Sequence, residues 1–230
     1  KGEVIITSAG LPARPSEIEY VACALPDWEG AFNTSLRFKN WSFSMQWDGK
    51  VGGMTYSQSH HKMCEQGHLA ETLNGRKPGT SLYLDIADPD VLKLFEKQKI
   101  TPVAGVYCIA PGVVDNGDGT YSPNQKLVTL ESYYKEYYRI GNVETNTFST
   151  TYLKLREVRL DYQLPKSWLK NTFINNASVG IYGRNLLCIT SYPMYDPETT
   201  SLDGNTFVPG VEVGTLPTSR SWGVNLKVDF

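Results

Sequence analysis

The end of the chain alternates without a break: Trp222, Val224, Leu226, Val228 and Phe230 are apolar, while Gly223, Asn225, Lys227 and Asp229 between them are not. A period of two places every apolar side chain on one face of an extended strand. Such a strand needs an apolar environment on one side only, either the core of a soluble sheet or the lipid around a barrel. The terminal aromatic residue favours the barrel.

The same period recurs upstream. Trp41, Phe43, Met45 and Trp47 alternate with Ser42, Ser44, Gln46 and Asp48, and Phe32, Thr34, Leu36 and Phe38 precede them. The apolar parity switches at Lys39-Asn40, as it does across a tight hairpin, so 31–38 and 41–48 read as two antiparallel strands. A third strand is expected over 148–164, with Val158, Leu160, Tyr162 and Leu164 facing one way. Leu153-Lys154-Leu155 has the opposite parity, which predicts a bulge near Leu155-Arg156. Pro165 stops that strand, 177–190 supplies its partner, and 218–230 is the last. Connections of unequal length link the strands, short at 39–40 and 165–175 and long at 49–147 and 191–217. Short turns at one end and long loops at the other form the pattern of transmembrane β-barrels. A connection as long as 49–147 must itself be partly folded. Asp88-Pro89-Asp90 opens a predicted helix over 88–99, and 58–73 reads as another. The expected fold is all-β, an antiparallel transmembrane barrel section with long outer loops carrying short helices. About five strands are fewer than the smallest membrane barrel requires, so the chain reads as the last portion of one.

Composition narrows the function classes. Lys plus Arg number 22 against 24 Asp plus Glu, with no basic run, which argues against nucleic acid as a partner. No apolar stretch is long enough for a membrane-spanning helix, a fact that leaves barrel strands open. Cys23, Cys64, Cys108 and Cys188 are scattered without paired spacing, so they indicate neither a zinc ribbon nor a dense disulfide scaffold. There is no nucleophile elbow, phosphate loop or dinucleotide fingerprint, so neither enzymatic chemistry nor a cofactor is expected. The start at Lys1-Gly2-Glu3 has neither an initiator Met nor a signal segment, so the chain is expected to begin inside something longer.

Three stretches together resemble the C-terminal part of SusC/RagA-type TonB-linked outer-membrane transporters. They are Tyr152-Leu153-Lys154-Leu155-Arg156-Glu157-Val158 running on to Pro165; Gly183-Arg184-Asn185-Leu186-Leu187 with Asp196-Pro197-Glu198; and Pro217 to Leu226 with its Arg220, Gly223 and Asn225. Pro26 to Phe32 and Phe38 to Ser42 are also similar to the family's strand and turn before its long loop. The resemblance implies a 22-stranded barrel with an internal plug, energised by TonB, paired with a SusD-like surface lipoprotein and importing glycans or peptides. It implies the bacterial outer membrane, a periplasmic C-terminus, and extracellular positions for 49–147 and 191–217. The family's plug and TonB-contacting segment lie in N-terminal sequence outside residues 1–230.

In that barrel Trp41, Phe43, Trp222, Val224, Leu226, Val228 and Phe230 would face lipid. Glu157, Arg159, Asp161 and Arg184 would face the lumen and bond to the plug and to each other. Tyr133, Tyr134, Tyr137 and Tyr138 are candidates for stacking on substrate, with ring packing among neighbouring loops as the plain alternative. His61, Cys64 and His68 would share one face of a helix at a spacing that holds zinc or copper, although Gly67 weakens such a helix. Asp115-Asn116-Gly117-Asp118-Gly119-Thr120 reads as a glycine-rich hairpin tip, since it lacks the ligand spacing of a calcium loop. The rival reading is a soluble or surface β-sandwich that binds carbohydrate, which would have to bury Trp41, Phe43, Trp222 and Val224 against a second sheet.

Overall fold

A computed structural model describes residues 2–14, 17–198, 200–203 and 206–230. The chain divides into two units, one of residues 22–55 with 148–230 and the other of residues 1–21 with 56–147.

The first unit is a five-stranded antiparallel sheet built from β1 (Pro26–Phe38), β2 (Trp41–Gly52), β3 (Tyr152–Gln163), β4 (Asn176–Thr190) and β5 (Ser221–Asp229). Its spatial order, β5-β4-β3-β2-β1, follows the chain, so the sheet is a plain meander. Lys39 takes a positive φ of 52° at the two-residue turn between β1 and β2. Both short connections fall at one end of the sheet, where the Gln163 amide donates to the Asn40 carbonyl at 2.8 Å and the Asn175 amide donates to that of Asp229 at 2.8 Å. The long connections leave from the other end.

The parity break in β3 is a bulge. Pairing to β2 runs Leu155 opposite Trp47 and then Glu157 opposite Gln46, which leaves Arg156 as the extra residue. That insertion keeps β3 in phase with its neighbours on both sides. Leu36, Phe43, Leu160, Ile181 and Val224 consequently form one continuous cross-strand row on the apolar face. The row on the opposite face, Arg37, Ser42, Asp161, Gly180 and Asn225, is polar.

The second unit packs three helices around short strands. α1 (Gln58–Glu65) is capped by Ser57, whose hydroxyl accepts from the His60 amide. α2 (Pro89–Gln98) has Asp88 as its cap and Pro at its first position, as its opening sequence dictates. α3 (Leu130–Tyr137) is capped by Thr129. The strands Tyr107–Ile109 and Leu127–Thr129 pair, and Ile5–Ile6, Val113–Asp115 and Tyr121–Pro123 form a second small sheet. Ile6, Leu82, Cys108, Val128, Leu130, Tyr133 and Tyr134 share a buried core. The helix expected over 58–73 is shorter than its pattern: it ends at Glu65, Gly67 turns with φ 77°, and only a 3-10 turn at Ala70–Leu73 follows. Asp115 and Asp118 accept from the amides of Gly117 and Thr120, which makes 115–120 a self-bonded hairpin tip.

Candidate functional site

The two faces of the sheet carry opposite chemistry. On the apolar face Trp222, Val224 and Leu226 are 72%, 72% and 71% exposed, and Leu36, Phe38, Trp41 and Ile181 are exposed with them. Phe43 and Val228 on the same face are half-buried, and Phe230 is exposed just past β5. Trp41 and Tyr162 pack ring to ring at 4.7 Å, and Phe173 stacks on Phe230 at 5.5 Å. Burying such side chains is worth roughly 1.5–3 kcal/mol each, so a face this apolar is stable only against lipid or another apolar surface.

The other face is laced with ion pairs. Arg184 Nε lies 2.7 Å from Glu157, and Arg159 reaches Asp161 at 2.6 Å. Asn225 donates to Asp161 at 3.0 Å, spanning the strand between them at Gly180. A Cβ there would sit 2.0 Å from the Asp161 carboxylate, so only glycine lets this contact form. Glu157, Arg159, Asp161 and Arg184 thus share the face their alternation assigned to them and bond to one another.

Toward the end with the long connections, the polar face carries a larger network whose members lie far apart in the sequence, so that no local spacing marks them as a site. Arg156, the bulge residue, grips Asp48 with both arms of its guanidinium at 2.6 and 2.7 Å and also pairs with Glu198. Lys154 is 3% exposed and donates to Asp196 at 2.6 Å and to Glu198. The Tyr152 hydroxyl sits between Glu198 at 2.7 Å and Asp48 at 3.1 Å, with the ammonium of Lys154 5.1 Å from its ring centre. Thr218 donates to Asp196 from both its amide and its hydroxyl. Burial alone would raise the Asp196 carboxyl, but the hydrogen bonds from Lys154 and Thr218 outweigh it and hold the group at about 2. Glu198 is likewise held below its ordinary value despite burial, by bonds from Arg156, Lys154 and Tyr152. The arrangement ties both ends of the connection 191–217 to β2 and β3. A cleft of ≈ 270 Å³ opens beside it, lined by Lys154, Asp196, Thr218, Tyr195 and Arg220 among others.

Two groups of candidates in the second unit are placed differently from their sequence pattern. Tyr133, Tyr134 and Tyr138 are buried, and Tyr137 is half-buried with its ring stacked on Tyr133 at 5.5 Å. The Tyr134 hydroxyl donates to the Asn74 carbonyl at 2.6 Å, and that of Tyr138 donates to Glu71 at 2.9 Å. Desolvation raises the Tyr133 and Tyr138 phenols above their ordinary value and takes that of Tyr134 to about 12. The rings of Tyr133, Tyr134 and Tyr138 are core, with Tyr137 packed against them, because an i, i+3, i+4 spacing from Leu130 turns this face of α3 inward. His61, Cys64 and His68 do not share a helix face either, since α1 stops before His68, which is exposed. His61 is engaged by Tyr56 at 3.0 Å and by Glu65 at 3.6 Å. Cys64 lies instead beside His60 and Glu71.

No family model matches the chain. It is 23% identical over 212 residues to TonB-dependent receptor P3 of Formosa agariphila, covering 89% of this chain and 16% of that protein. TonB-dependent receptor P26 of the same organism is 23% identical over 210 residues, covering 90% and 17%. In fold, the whole chain superposes on 21% of a chain of the RagAB peptide importer in its 'open-open' state, with a TM-score of 0.55 at 16% identity. The 'closed-closed' state of RagAB gives the same TM-score over 99% of the chain. These relatives are receptors and importers, not enzymes. The chain spans less than a quarter of each of them, and over that span it is similar in sequence to TonB-dependent receptors and in fold to RagAB, in agreement with the SusC/RagA-type resemblance that its motifs carry.

Proposed function

We propose that the sheet is a section of the wall of a closed β-barrel in the bacterial outer membrane, and that the whole protein imports nutrient oligomers, glycan or peptide, with energy from TonB. The observation that carries this reading is the exposed apolar face of five consecutive strands backed by a face of ion pairs. A soluble β-sandwich would cover Trp41, Trp222 and Val224 with a second sheet, and they are exposed. The outer edges of β1 and β5 find their partners in the remaining strands, up to the 22 of the family pattern. The end with short turns, and with it the C-terminus, is periplasmic, and the connections 49–147 and 191–217 are extracellular. The plug, in sequence outside these residues, meets the polar face that carries Glu157, Arg159, Asp161 and Arg184.

The mechanism is gated passage. Substrate enters between the barrel and a SusD-like surface lipoprotein, and TonB-driven movement of the plug releases it inward. The network of Asp48, Tyr152, Lys154, Arg156, Asp196 and Glu198 keeps the ends of the 191–217 connection fixed while the mouth is open to substrate. The folded insertion within 49–147 acts as lid or as the contact for the lipoprotein.

The test follows the native polypeptide ending in Val228-Asp229-Phe230 through cell fractionation. A protein much longer than 230 residues that is released from membranes only by detergent is expected. A species of this length in the soluble fraction would overturn the barrel and put the β-sandwich in its place. Deleting residues 74–130 is expected to abolish lipoprotein association and uptake, and retention of both would remove the insertion from the mechanism.

A further inference from the structure

We infer that His60, Cys64 and Glu71 form a binding site for a single divalent transition-metal ion of the zinc type. His60 and Cys64 lie one turn apart on α1, 1% and 0% exposed, and Glu71 reaches them from the 3-10 turn that follows. The three ligand atoms all lie within 4.8 Å of one another. His60 Nε2 is 3.5 Å from the Glu71 carboxylate and 3.7 Å from Cys64 Sγ. A tetrahedral zinc with bonds of about 2.0 Å to nitrogen and oxygen and about 2.3 Å to sulfur holds such atoms roughly 3.3–3.6 Å apart, so the spacing fits, and metal binding requires Cys64 Sγ to swing from the ring face toward the Nε2 direction.

The surroundings prepare these groups as ligands. Asn146 is fully buried and its Nδ2 donates to the Tyr138 carbonyl at 2.9 Å, which leaves Oδ1 as the atom facing His60 Nδ1 at 3.0 Å. Oδ1 only accepts, so it receives the Nδ1 proton and leaves Nε2 as the ligand atom beside Glu71, while Cys64 Sγ lies over the ring, 3.7 Å from Nε2 and 3.9 Å from Nδ1. A carbonyl oxygen bonded to the remote nitrogen is the usual support of a metal-bound histidine. The Tyr138 hydroxyl orients the carboxylate of Glu71 in the same way, at 2.9 Å. Glu71 itself is half-exposed, which gives a metal its entry path and leaves room for a water as fourth ligand. A nitrogen, a sulfur and a carboxylate oxygen are the donor set of zinc, and the hard cations calcium and magnesium do not take it.

The competing arrangement is the direct contact of His60 with Glu71, which needs no metal. To decide, the detergent-solubilised protein is stripped with chelator and titrated with Zn²⁺ by calorimetry and with Co²⁺ by absorption. One equivalent of Zn²⁺ is expected to bind, Co²⁺ should give sulfur-to-metal charge-transfer absorption, and bound Zn²⁺ should shield Cys64 from alkylation in the unmutated protein. Cys64→Ser should remove the Co²⁺ absorption and weaken Zn²⁺ at least tenfold, and Asn146→Leu should weaken it about tenfold through loss of the histidine's support. His61→Gln and His68→Ala should change neither. The wild-type readings stand even if a variant fails to fold. Failure of the wild-type protein to take up metal, equal affinity in Cys64→Ser, or loss of binding in His68→Ala would each overturn the site.

Discussion

The two units bury opposite things. In the sheet, the large apolar residues Trp222, Val224 and Leu226 are exposed while Lys154 and Asp196 are buried. In the second unit, Phe95, Ile6 and Leu130 are buried and the helix surfaces carry solvated pairs such as Lys93 with Asp90 and Lys135 with Glu131. One chain therefore follows two rules for its interior. Proteins put apolar groups out of water, and the second unit does so by folding on itself, whereas the sheet leaves its apolar face exposed among the described residues, as the proposed barrel wall requires. Polar groups on the sheet's other face then have to satisfy each other, and they do so through Arg156, Asp48, Lys154, Asp196 and Glu198.

The comparison breaks first at the buried pairs. Lys154→Ala leaves Asp196 without its cation and Glu198 with Arg156 alone, at a cost of about 3–5 kcal/mol, to be read as lost folded protein and rapid proteolysis within 191–217. Phe95→Ala should be as costly to the insertion, about 3–5 kcal/mol by cavity formation, and should expose 56–147 to protease while leaving the sheet protected. Loss of both regions together would show that the units do not respond separately.

Charge placed on one face or the other comes next. Val224→Lys on the apolar face should cost about 2–4 kcal/mol in lipid if the residue lies near the midplane, measured by denaturant unfolding in bilayers. Gln46→Lys, on the polar face opposite Glu157, should cost close to nothing. Equal effects from the two would remove the proposed distinction between lipid and lumen faces.

Acid tests the anchor of the 191–217 connection. Asp196 has its folded value lowered from 3.8 to about 2, so its contribution is nearly complete above pH 4 and is lost progressively as pH falls from 4 through 2. The shift corresponds to about 2 kcal/mol. Pepsin cleavage within 191–217 should be slow at pH 4, accelerate progressively between pH 4 and pH 2 and level off below, and a rise already complete at pH 4 would contradict the ion pair with Lys154.

The smallest effect separates packing from substrate contact. Tyr134→Phe removes the donor to the Asn74 carbonyl and should destabilise the insertion by about 1 kcal/mol in thermal unfolding with uptake unchanged. Unchanged stability with impaired uptake would return Tyr134 to the substrate path.

What was readable in advance follows from the period of two. Alternation at Trp41 to Trp47 and Trp222 to Phe230 assigns faces with no knowledge of partners, because a strand has only two sides. The parity break at Leu155 located the bulge for the same reason. The charges Glu157, Arg159, Asp161 and Arg184 were placed by the same rule, and their pairing needed only the register. α2 was legible from Asp88-Pro89-Asp90, since capping is local. The tyrosines of α3 and the histidines of α1 were not, because a helix face becomes a core or a site only when other elements cover it.

The sequence by itself thus determined the strands, their two-faced character, the hairpin at Lys39-Asn40 and the family likeness, all of which rest on neighbours in the chain. Only the tertiary structure decided that Lys154 and Arg156 meet Asp196, Glu198 and Asp48, that Tyr133, Tyr134 and Tyr138 turn inward, and that Cys64 faces His60 and Glu71 and not His68. The physical reason is range: backbone period and capping act over a few residues, whereas an ion pair or a ligand set joins groups brought together by folding, such as Asp48 and Arg156 across the whole of the insertion.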